Sequence, residues 1–421
     1  MWNKAVLNNG LRIVTEEVPF VHSVAVGIWV KAGSRNEDDF KHGISHFIEH
    51  LLFKGTEKRT AKQIAQEFEA VGGSVNAFTT KEYTCYYAKV LDEHFDLAID
   101  ILADMFFNSK FDEQEIGKEK NVIIEEIKMY EDSPDEIIHD LFAQTVLQNH
   151  PLGRPIVGTI ESVNDITRQD ILSYLTKYYT PANTVIAVAG NINHNQVVDK
   201  LSYLFGDWKG NRVETKYQQP EPYNDTVLIK KDTEQVQICM GVPGLPRDDE
   251  NNYILYVLNN IIGGGLSSRL FQEIRENKGL AYSIYSYHSS YYDGGLFTIY
   301  AGTSQDHFED VVELIAQELY KCKKLGIGQE ELDRTKTQIK GSLLLSMESI
   351  SNRMSRLGRT ELCYGRVIPA EEIVSKTSQV TVSQILELSE KLFRKENFSL
   401  TALGPIDKMT DIQSILTAVG F

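Results

Sequence analysis

Apolar and polar residues follow two patterns along this chain, and each half of the chain contains both. Short runs rich in β-branched residues, such as 21-VHSVAVGIWV-30, predict strands. Longer stretches with apolar residues at every third or fourth position predict amphipathic helices. These elements do not follow the regular strand–helix rhythm of a parallel sheet. We therefore predict an α+β protein in which mainly antiparallel sheets carry helices packed on one face.

The helical pattern recurs at a nearly constant offset, which indicates an internal duplication. The stretch 94-HFDLAIDILADMF-106 is similar to 307-HFEDVVELIAQEL-319, and an acidic helix start follows each. A chain of 421 residues is also longer than one ordinary hydrophobic core requires. The polar stretch between the halves has the composition of a loop. We predict two similar domains, residues 1–208 and 227–421, joined by a linker at 209–226.

Composition and charge narrow the class of protein. Apolar residues make up 42% of the chain and charged residues 24%, as in soluble globular proteins. The net charge of −16 argues against nucleic-acid binding, which needs a basic surface. The four cysteines form no CxxC pair, a pattern typical of a reducing compartment. No run reaches the roughly 18 apolar residues that span a bilayer. We expect a cytoplasmic protein without nucleic-acid or membrane partners.

The segment around 46-HFIEH-50 combines helix periodicity with metal-ligand chemistry. Its apolar positions form one helical stripe, made of Ile44, Phe47, Ile48, Leu51 and Leu52. His46, Glu49 and His50 lie on the opposite face, with the imidazoles one turn apart, as two ligands of one small cation require. The order H-x-x-E-H inverts the HExxH motif, in which histidines bind zinc and the glutamate is the general base. The alternative is a solvated polar helix face.

A catalytic zinc site needs a third protein ligand. The segment 112–130 predicts a helix with Asp112 as its N-cap, in which Glu119 and Glu126 share a stripe with apolar residues. A carboxylate on a largely apolar stripe is costly unless it is paired or binds a metal. Both glutamates are therefore candidates, although the pattern also fits ordinary surface residues.

Taken together, these segments resemble the pitrilysin (insulinase) family of zinc peptidases, especially bacterial relatives of the β subunit of mitochondrial processing peptidase. The resemblance covers essentially the whole chain and rests on HFIEH, NVIIEEIKMYEDSPDE, GGSVNAFTTKEYTCYY and GGGLSSRLFQEIRENKGLAYSIYS. It implies the family fold, peptide-bond hydrolysis and one Zn²⁺ per chain, bound by His46, His50 and Glu126. The family spacing from the second histidine selects Glu126 rather than the neighbouring Glu125.

The resemblance also implies catalytic roles for four residues. Glu49 is expected to accept a proton from metal-bound water and to return it to the leaving amine, and Glu119 to support the metal site and proton transfer. In the second half, Arg275 and Tyr282 match a family pair that helps to stabilise the developing oxyanion. Without the resemblance, that pair is a surface arginine and a half-buried strand tyrosine.

Substrate contacts are expected along one strand and on one helix. Family substrates lie extended along an edge strand, which corresponds here to 74-SVNAF-78. Asn76 and Ala77 are expected to contact the substrate backbone, and Phe78 to shape a side-chain pocket. Glu136 and Asp140 stand where the resemblance places an acidic pair that binds an arginine side chain. The alternative is an acidic helix start favoured by the helix dipole.

The second half has no metal ligands at the corresponding positions. Aligning the halves sets Leu255, Leu258 and Asn259 opposite the HxxEH residues. Full-length family members close four such domains around the substrate, whereas this chain supplies two. We therefore expect a homodimeric zinc endopeptidase that encloses extended peptides in a chamber and favours basic residues near the cleaved bond. Two alternatives stay open: a non-catalytic peptide-binding or structural subunit of the same fold, and a chain that works only with a different partner subunit.

Overall fold

The structure, a computed structural model, describes residues 2–211, 213, 215–406 and 411–421. Its contacts divide the chain into two compact units. Unit 1 comprises Met1–Lys128, Pro155–Lys216 and Leu344–Ile368, and unit 2 comprises Met129–Arg154, Tyr217–Leu343 and Pro369–Phe421. Each unit therefore includes a segment from the other half of the sequence. The domain limits 1–208, 209–226 and 227–421 stay a prediction.

The strands are short and are separated mostly by helices. In chain order they are β1 (Trp2–Val6), β2 (Arg12–Glu17), β3 (Ser23–Val30), β4 (Ser74–Thr79), β5 (Thr84–Leu91), β6 (Thr184–Gly190), β7 (Thr226–Lys230), β8 (Val236–Pro243), β9 (Ala281–Ser290), β10 (Gly295–Thr303) and β11 (Ser399–Gly404).

The α-helices range from one and a half to five turns. In chain order they are α1 (Ile44–Leu51), α2 (Ala61–Ala70), α3 (Phe95–Asn108), α4 (Glu113–Glu131), α5 (Pro134–Val146), α6 (Ile160–Asp165), α7 (Arg168–Tyr178), α8 (His194–Phe205), α9 (Asn252–Gly263), α10 (Phe308–Leu325), α11 (Gln329–Ser346), α12 (Ile350–Tyr364), α13 (Ala370–Ser378), α14 (Val382–Leu392) and α15 (Ile412–Val419). A π-helical segment spans Phe271–Asn277. No helix in the described part of the chain is long and apolar enough to cross a bilayer.

Each unit is built on one mixed sheet. The strand order is β1-β2-β6-β3-β5-β4 in unit 1 and β7-β11-β8-β10-β9 in unit 2. The pairings β2–β6 and β7–β11 are parallel, and the other pairings are antiparallel. The prediction of an α+β protein with two similar, mainly antiparallel domains is confirmed.

Among the described residues, one helix packs on the second face of each sheet, whereas the sequence predicted helices on one face only. In unit 1, α12 packs against the central strands, so that β3 is buried on both sides and reads as a continuous apolar run. The packing is close, because a Cβ added to Gly358 would lie 2.2 Å from Trp29 Nε1. In unit 2, α5 takes the same role and buries Ile138 and Phe142.

Candidate metal centre

The helix α1 presents both predicted histidine ligands. It buries Ile44, Phe47 and Ile48 in the core of unit 1, as the periodicity predicts. The helix starts after Gly43, whose φ of 91° lies in the left-handed region that glycine adopts without strain. A Cβ at this position would lie 2.7 Å from the Val157 carbonyl oxygen. Gly43 therefore permits both the turn and the close approach that start α1.

The helix α4 supplies the predicted carboxylates. Asp112 Oδ1 accepts a hydrogen bond of 2.9 Å from the Gln114 amide, in the N-cap position that the sequence predicts. The buried face of α4 contains Ile116, Ile123 and Ile127, and it also contains Glu119, which is only 3% exposed. Glu126 is half-buried.

The three predicted metal ligands converge on one point in unit 1. One ligand atom from each of His46, His50 and Glu126 lies within 4.8 Å of the others. His46 Nε2 is 3.7 Å from Glu126 Oε1, and His50 Nε2 is 3.6 Å from Glu126 Oε2. These separations exceed hydrogen-bond length. They are close to the roughly 3.3 Å expected between two ligands about 2.0–2.1 Å from one tetrahedral ion.

Burial keeps His46 in the protonation state that a metal ligand needs. Burial, and then the neighbouring His50, lower the pKa of His46 to about 3. A neutral imidazole offers a lone pair, whereas an imidazolium does not. His46 is therefore ready to bind a cation across the neutral pH range.

Glu119 orients His50. Its Oε1 lies 2.9 Å from His50 Nδ1, and its Oε2 lies 2.7 Å from Lys54 Nζ. Burial alone would raise the pKa of Glu119, but the hydrogen bonds from His50 and Lys54 outweigh it and lower the pKa. An ionised carboxylate only accepts hydrogen bonds, so this contact requires a proton on His50 Nδ1. In a neutral imidazole with that tautomer, the lone pair is on Nε2, the nitrogen nearer Glu126.

Glu49 lies beside the convergence point and bonds to the neighbouring strand. The Thr79 hydroxyl donates a hydrogen bond of 2.5 Å to Glu49 Oε2. Burial raises the pKa of Glu49, and the Thr79 bond opposes that shift. A raised carboxylate pKa suits a group that must both accept and return a proton near neutral pH.

The predicted substrate strand is β4, at the edge of the unit 1 sheet next to α1. Asn76 is exposed, and its side-chain oxygen accepts a bond of 2.8 Å from the Ala77 amide. Phe78 packs against Trp29, with ring centroids 5.6 Å apart. Because β4 pairs with β5 on one side, the other side offers backbone groups that an extended chain can bond.

The remaining predicted residues lie in unit 2. Arg275 is in the π-helical segment, and its guanidinium carbon lies 5.1 Å from the ring centroid of Tyr282, the second residue of β9. Tyr282 is 78% exposed. The structure thus brings this pair together and leaves the tyrosine hydroxyl accessible.

Glu136 and Asp140 line a cavity of about 400 Å³ in unit 2. The other lining residues are an acid, a serine and four aromatic side chains: Asp135, Ser283, Tyr130, His139, Tyr285 and Tyr300. His139 bonds to two tyrosine hydroxyls, with Nδ1 2.8 Å from Tyr287 and Nε2 3.1 Å from Tyr285. Burial lowers the pKa of His139. The cavity therefore combines three carboxylates with aromatic ring surfaces.

Several residues of these sites were not predicted. Lys54 and Thr79 contact the predicted glutamates, and Tyr285 and Tyr300 form part of the acidic cavity. Lys54 follows the HFIEH motif by one turn, which is a weak signal. The other contacts join segments far apart in sequence, and no local pattern indicates them.

Comparisons with known proteins agree with this architecture. The model of the insulinase family (peptidase family M16) matches residues 12–160, and that of the peptidase M16 inactive domain matches residues 165–339. A protein of Bacillus subtilis named as an uncharacterized zinc protease is 48% identical over 95% of this chain and 98% of its own. Another of that description, from Streptomyces coelicolor, is 41% identical over 96% of this chain and 89% of its own.

Solved structures show the same fold at lower identity. A protease from Helicobacter pylori superposes with a TM-score of 0.89 at 24% identity and covers 96% of this chain and 99% of its own. A peptidase M16 inactive domain from Pseudomonas fluorescens gives a TM-score of 0.90 at 21% identity, over 97% and 100% of the two chains. The chain belongs to the insulinase family of peptidases, family M16.

Proposed function

We propose that this chain is a zinc-dependent endopeptidase whose metal is held by His46, His50 and Glu126. One observation carries the proposal. Three ligand atoms of the types that catalytic zinc prefers converge within 4.8 Å, and the carboxylate of Glu49 lies beside them. The relatives named as zinc proteases support the choice of metal and reaction.

The donor set fits zinc in chemistry as well as in spacing. Two imidazoles and one carboxylate form the ligand set of several zinc hydrolases, which leaves one position for the reacting molecule. Bound zinc would act as a Lewis acid toward the scissile carbonyl. Glu119 would hold His50 in the binding tautomer, because its carboxylate engages Nδ1.

Glu49 would move the proton in the reaction. Its raised pKa brings the carboxyl closer to the pH at which it can both take a proton and release it to the leaving amine. The bond from Thr79 would hold Oε2, so that Oε1 faces the reacting molecule. An extended peptide would lie along β4 through backbone hydrogen bonds, with Asn76, Ala77 and Phe78 in contact.

We further propose that the active form is a homodimer that encloses its substrate. The half-buried Arg275 and the exposed Tyr282 form a pair in unit 2. A hydroxyl and a guanidinium of this kind can stabilise a developing oxyanion. The second copy of the chain would supply that pair to each metal site.

The acidic cavity of unit 2 would take a basic side chain of the substrate. Three carboxylates line it, and its tyrosine rings offer faces on which a guanidinium can stack. Burial lowers the pKa of His139, which keeps that ring neutral and leaves the negative potential of the cavity intact. A substrate with arginine near the cleaved bond would use this complementarity.

A quenched-fluorescence peptide library tests the proposed activity. We expect zinc-loaded wild type to cleave, a chelator to abolish cleavage, and Glu49→Gln to retain zinc while turnover falls by about 10²-fold or more. Glu57→Gln, a change at an exposed glutamate eight residues away, is the control and should cleave like wild type. Near-normal turnover of metal-loaded Glu49→Gln would show that Glu49 is not the group that transfers the proton. Peptide binding without cleavage by the wild type would favour a non-catalytic subunit.

A further inference from the structure

The buried carboxylate of Glu37, close to α1, has no part in the chemistry described above. Glu37 lies in the loop before α1 and is only 6% exposed. Burial raises its pKa to about 7, against the opposing effect of hydrogen bonds from Ser45 and Gly43. Placing a carboxylate in such surroundings is costly unless it makes specific bonds. Its bonds therefore indicate its role.

The two carboxylate oxygens of Glu37 accept hydrogen bonds from the N-cap and the first turn of α1. Oε2 accepts a hydrogen bond of 2.7 Å from the Gly43 amide, and Oε1 accepts one of 2.8 Å from the Ser45 amide. Amides at a helix start lack partners within the helix. Gly43 occupies the N-cap position but has no side chain with which to bond them. Glu37 thus caps α1 from a loop.

The loop that carries Glu37 is bound to the end of β4. The Ser34 and Arg35 amides donate to the Thr80 and Lys81 carbonyl oxygens, over 3.1 and 2.8 Å. The Arg35 guanidinium also bonds Glu82 at 2.8 Å, and both side chains are buried. This turn directly follows Thr79, the residue that bonds Glu49. The loop 33–37 therefore connects the first turn of α1 to the end of the predicted substrate strand.

We propose that Glu37 is a positioning residue, whose two bonds to α1 fix the rotation and tilt at which the helix presents His46 and His50 to Glu126. The inference rests on the proposed zinc site. An α1 of eight residues has only two turns, so its first turn controls the whole element. Ser45, one of the two bonded residues, directly precedes His46. Loss of either anchor would let the imidazoles move away from the position shared with Glu126.

The substitution Glu37→Gln tests this role. A glutamine offers one carbonyl oxygen, and its NH₂ group would face a backbone amide, so one of the two bonds is lost. We expect the Zn²⁺ affinity, measured by competition with a chromogenic chelator, to fall by about tenfold. The visible absorption spectrum of the Co²⁺-loaded protein should also change, because it reports ligand geometry. Glu37→Asp keeps the carboxylate on a shorter side chain and should lose less affinity.

Glu361→Gln is the matched control. Glu361 is also a buried glutamate of unit 1, and it bonds Lys4 at 2.7 Å and contacts Arg12 at 3.4 Å. Its loss should lower the melting temperature without changing Zn²⁺ affinity or the Co²⁺ spectrum. A general loss of stability and a specific loss of ligand geometry are thereby separated.

The outcomes distinguish the inference from the proposed function. If Glu37→Gln folds and matches wild type in Zn²⁺ affinity and Co²⁺ spectrum, the positioning role is wrong. Should Glu37→Gln fail to fold, Glu37→Asp decides by the same two measurements, and wild-type values there would overturn the inference. A wild-type protein that binds no Zn²⁺ would overturn the proposed function, and the inference with it.

Discussion

The two units share one sheet topology and differ in which side chains their helices carry. The order β2-β6-β3-β5-β4 in unit 1 matches β7-β11-β8-β10-β9 in unit 2, and each series begins with a parallel pair. The helix α1 lies against β4, as α9 lies against β9. The duplicated architecture therefore does not by itself create a metal site.

In unit 2, α9 corresponds to α1 and α11 corresponds to α4, and neither has the candidate metal ligands at the matching positions. In α9, Leu255 and Leu258 are fully buried, and Asn259 accepts a hydrogen bond of 2.8 Å from Ser286. Aligning the buried positions of α4 and α11 sets Thr335 opposite Glu119. At the positions that correspond to the HxxEH residues, unit 2 therefore has buried leucines and a neutral hydrogen bond. A handful of side chains, placed on a shared scaffold, distinguishes the two units.

Removing the proposed third ligand, Glu126, should leave unit 1 unable to retain zinc. Glu126→Gln replaces a carboxylate with a neutral amide, a poorer zinc ligand, so most of the zinc should be lost on dialysis. Metal analysis by mass spectrometry measures the loss. Glu125→Gln is the control, because Glu125 is exposed and bonds Lys128 instead. The reverse ranking of the two variants would show that the helix register of the ligand is wrong.

Mixing a chain inactivated in unit 1 with a chain inactivated in unit 2 tests whether two chains of a dimer share their active sites. Tyr282→Phe should lower turnover by about 10²-fold, the usual effect of losing one oxyanion donor. Mixing it with Glu49→Gln should restore up to about a quarter of wild-type activity, since half of the dimers would be mixed, with one intact site each. Glu49→Gln mixed with Glu126→Gln should stay inactive, because both defects lie in unit 1. A monomeric mass without complementation would argue against shared sites.

A substitution in α12, the helix that covers the second face of the unit 1 sheet, should have a smaller effect, on stability rather than on activity. Gly358→Ala places a methyl group 2.2 Å from the Trp29 ring nitrogen and should lower the free energy of unfolding by about 1–3 kcal/mol. Gly117→Ala in α4 is the control, because a Cβ there meets open space and should stabilise by about 0.5–1 kcal/mol. Thermal unfolding measures both, and equal stability of the two variants would contradict the close packing of α12.

The acidic cavity should give the smallest change, a shift in substrate preference. Peptides that differ only by Arg, Gln or Glu two residues before the cut should show an Arg preference of about tenfold, the value of one charge-assisted bond. Glu136→Gln with Asp140→Asn should remove that preference and keep the zinc. Glu131→Gln with Asp132→Asn makes the same charge change outside the cavity lining and should leave the preference intact. An unchanged preference in the first pair would mean that these acids form only a solvated face.

Those parts of the fold and of the candidate site that depend on local periodicity could be predicted from the sequence. The helix around HFIEH and the capped helix after Asp112 follow from spacing alone, because both depend on neighbours within a few residues. The convergence of Glu126 with His50 depends on how α1 and α4 pack, and only the family resemblance indicated it. Contacts such as Thr79 with Glu49 join residues 30 positions apart, and no sequence period reports them. For the same reason the sequence did not indicate Tyr285 and Tyr300, which lie in β9 and β10, far from α5 in sequence although they line the same cavity.

The helix α12 also determines when unit 1 can finish folding during synthesis. The strands β2, β3 and β6 have been synthesised once residue 190 has been made. The apolar face that α12 covers stays uncovered until residues 350–364 have been synthesised. A growing chain would therefore hold an exposed hydrophobic sheet face on the ribosome through most of the translation of its second half. A fragment that ends at residue 208 would keep that face exposed permanently. We expect such a fragment to aggregate or to bind chaperones, and to regain solubility when residues 344–368 are supplied.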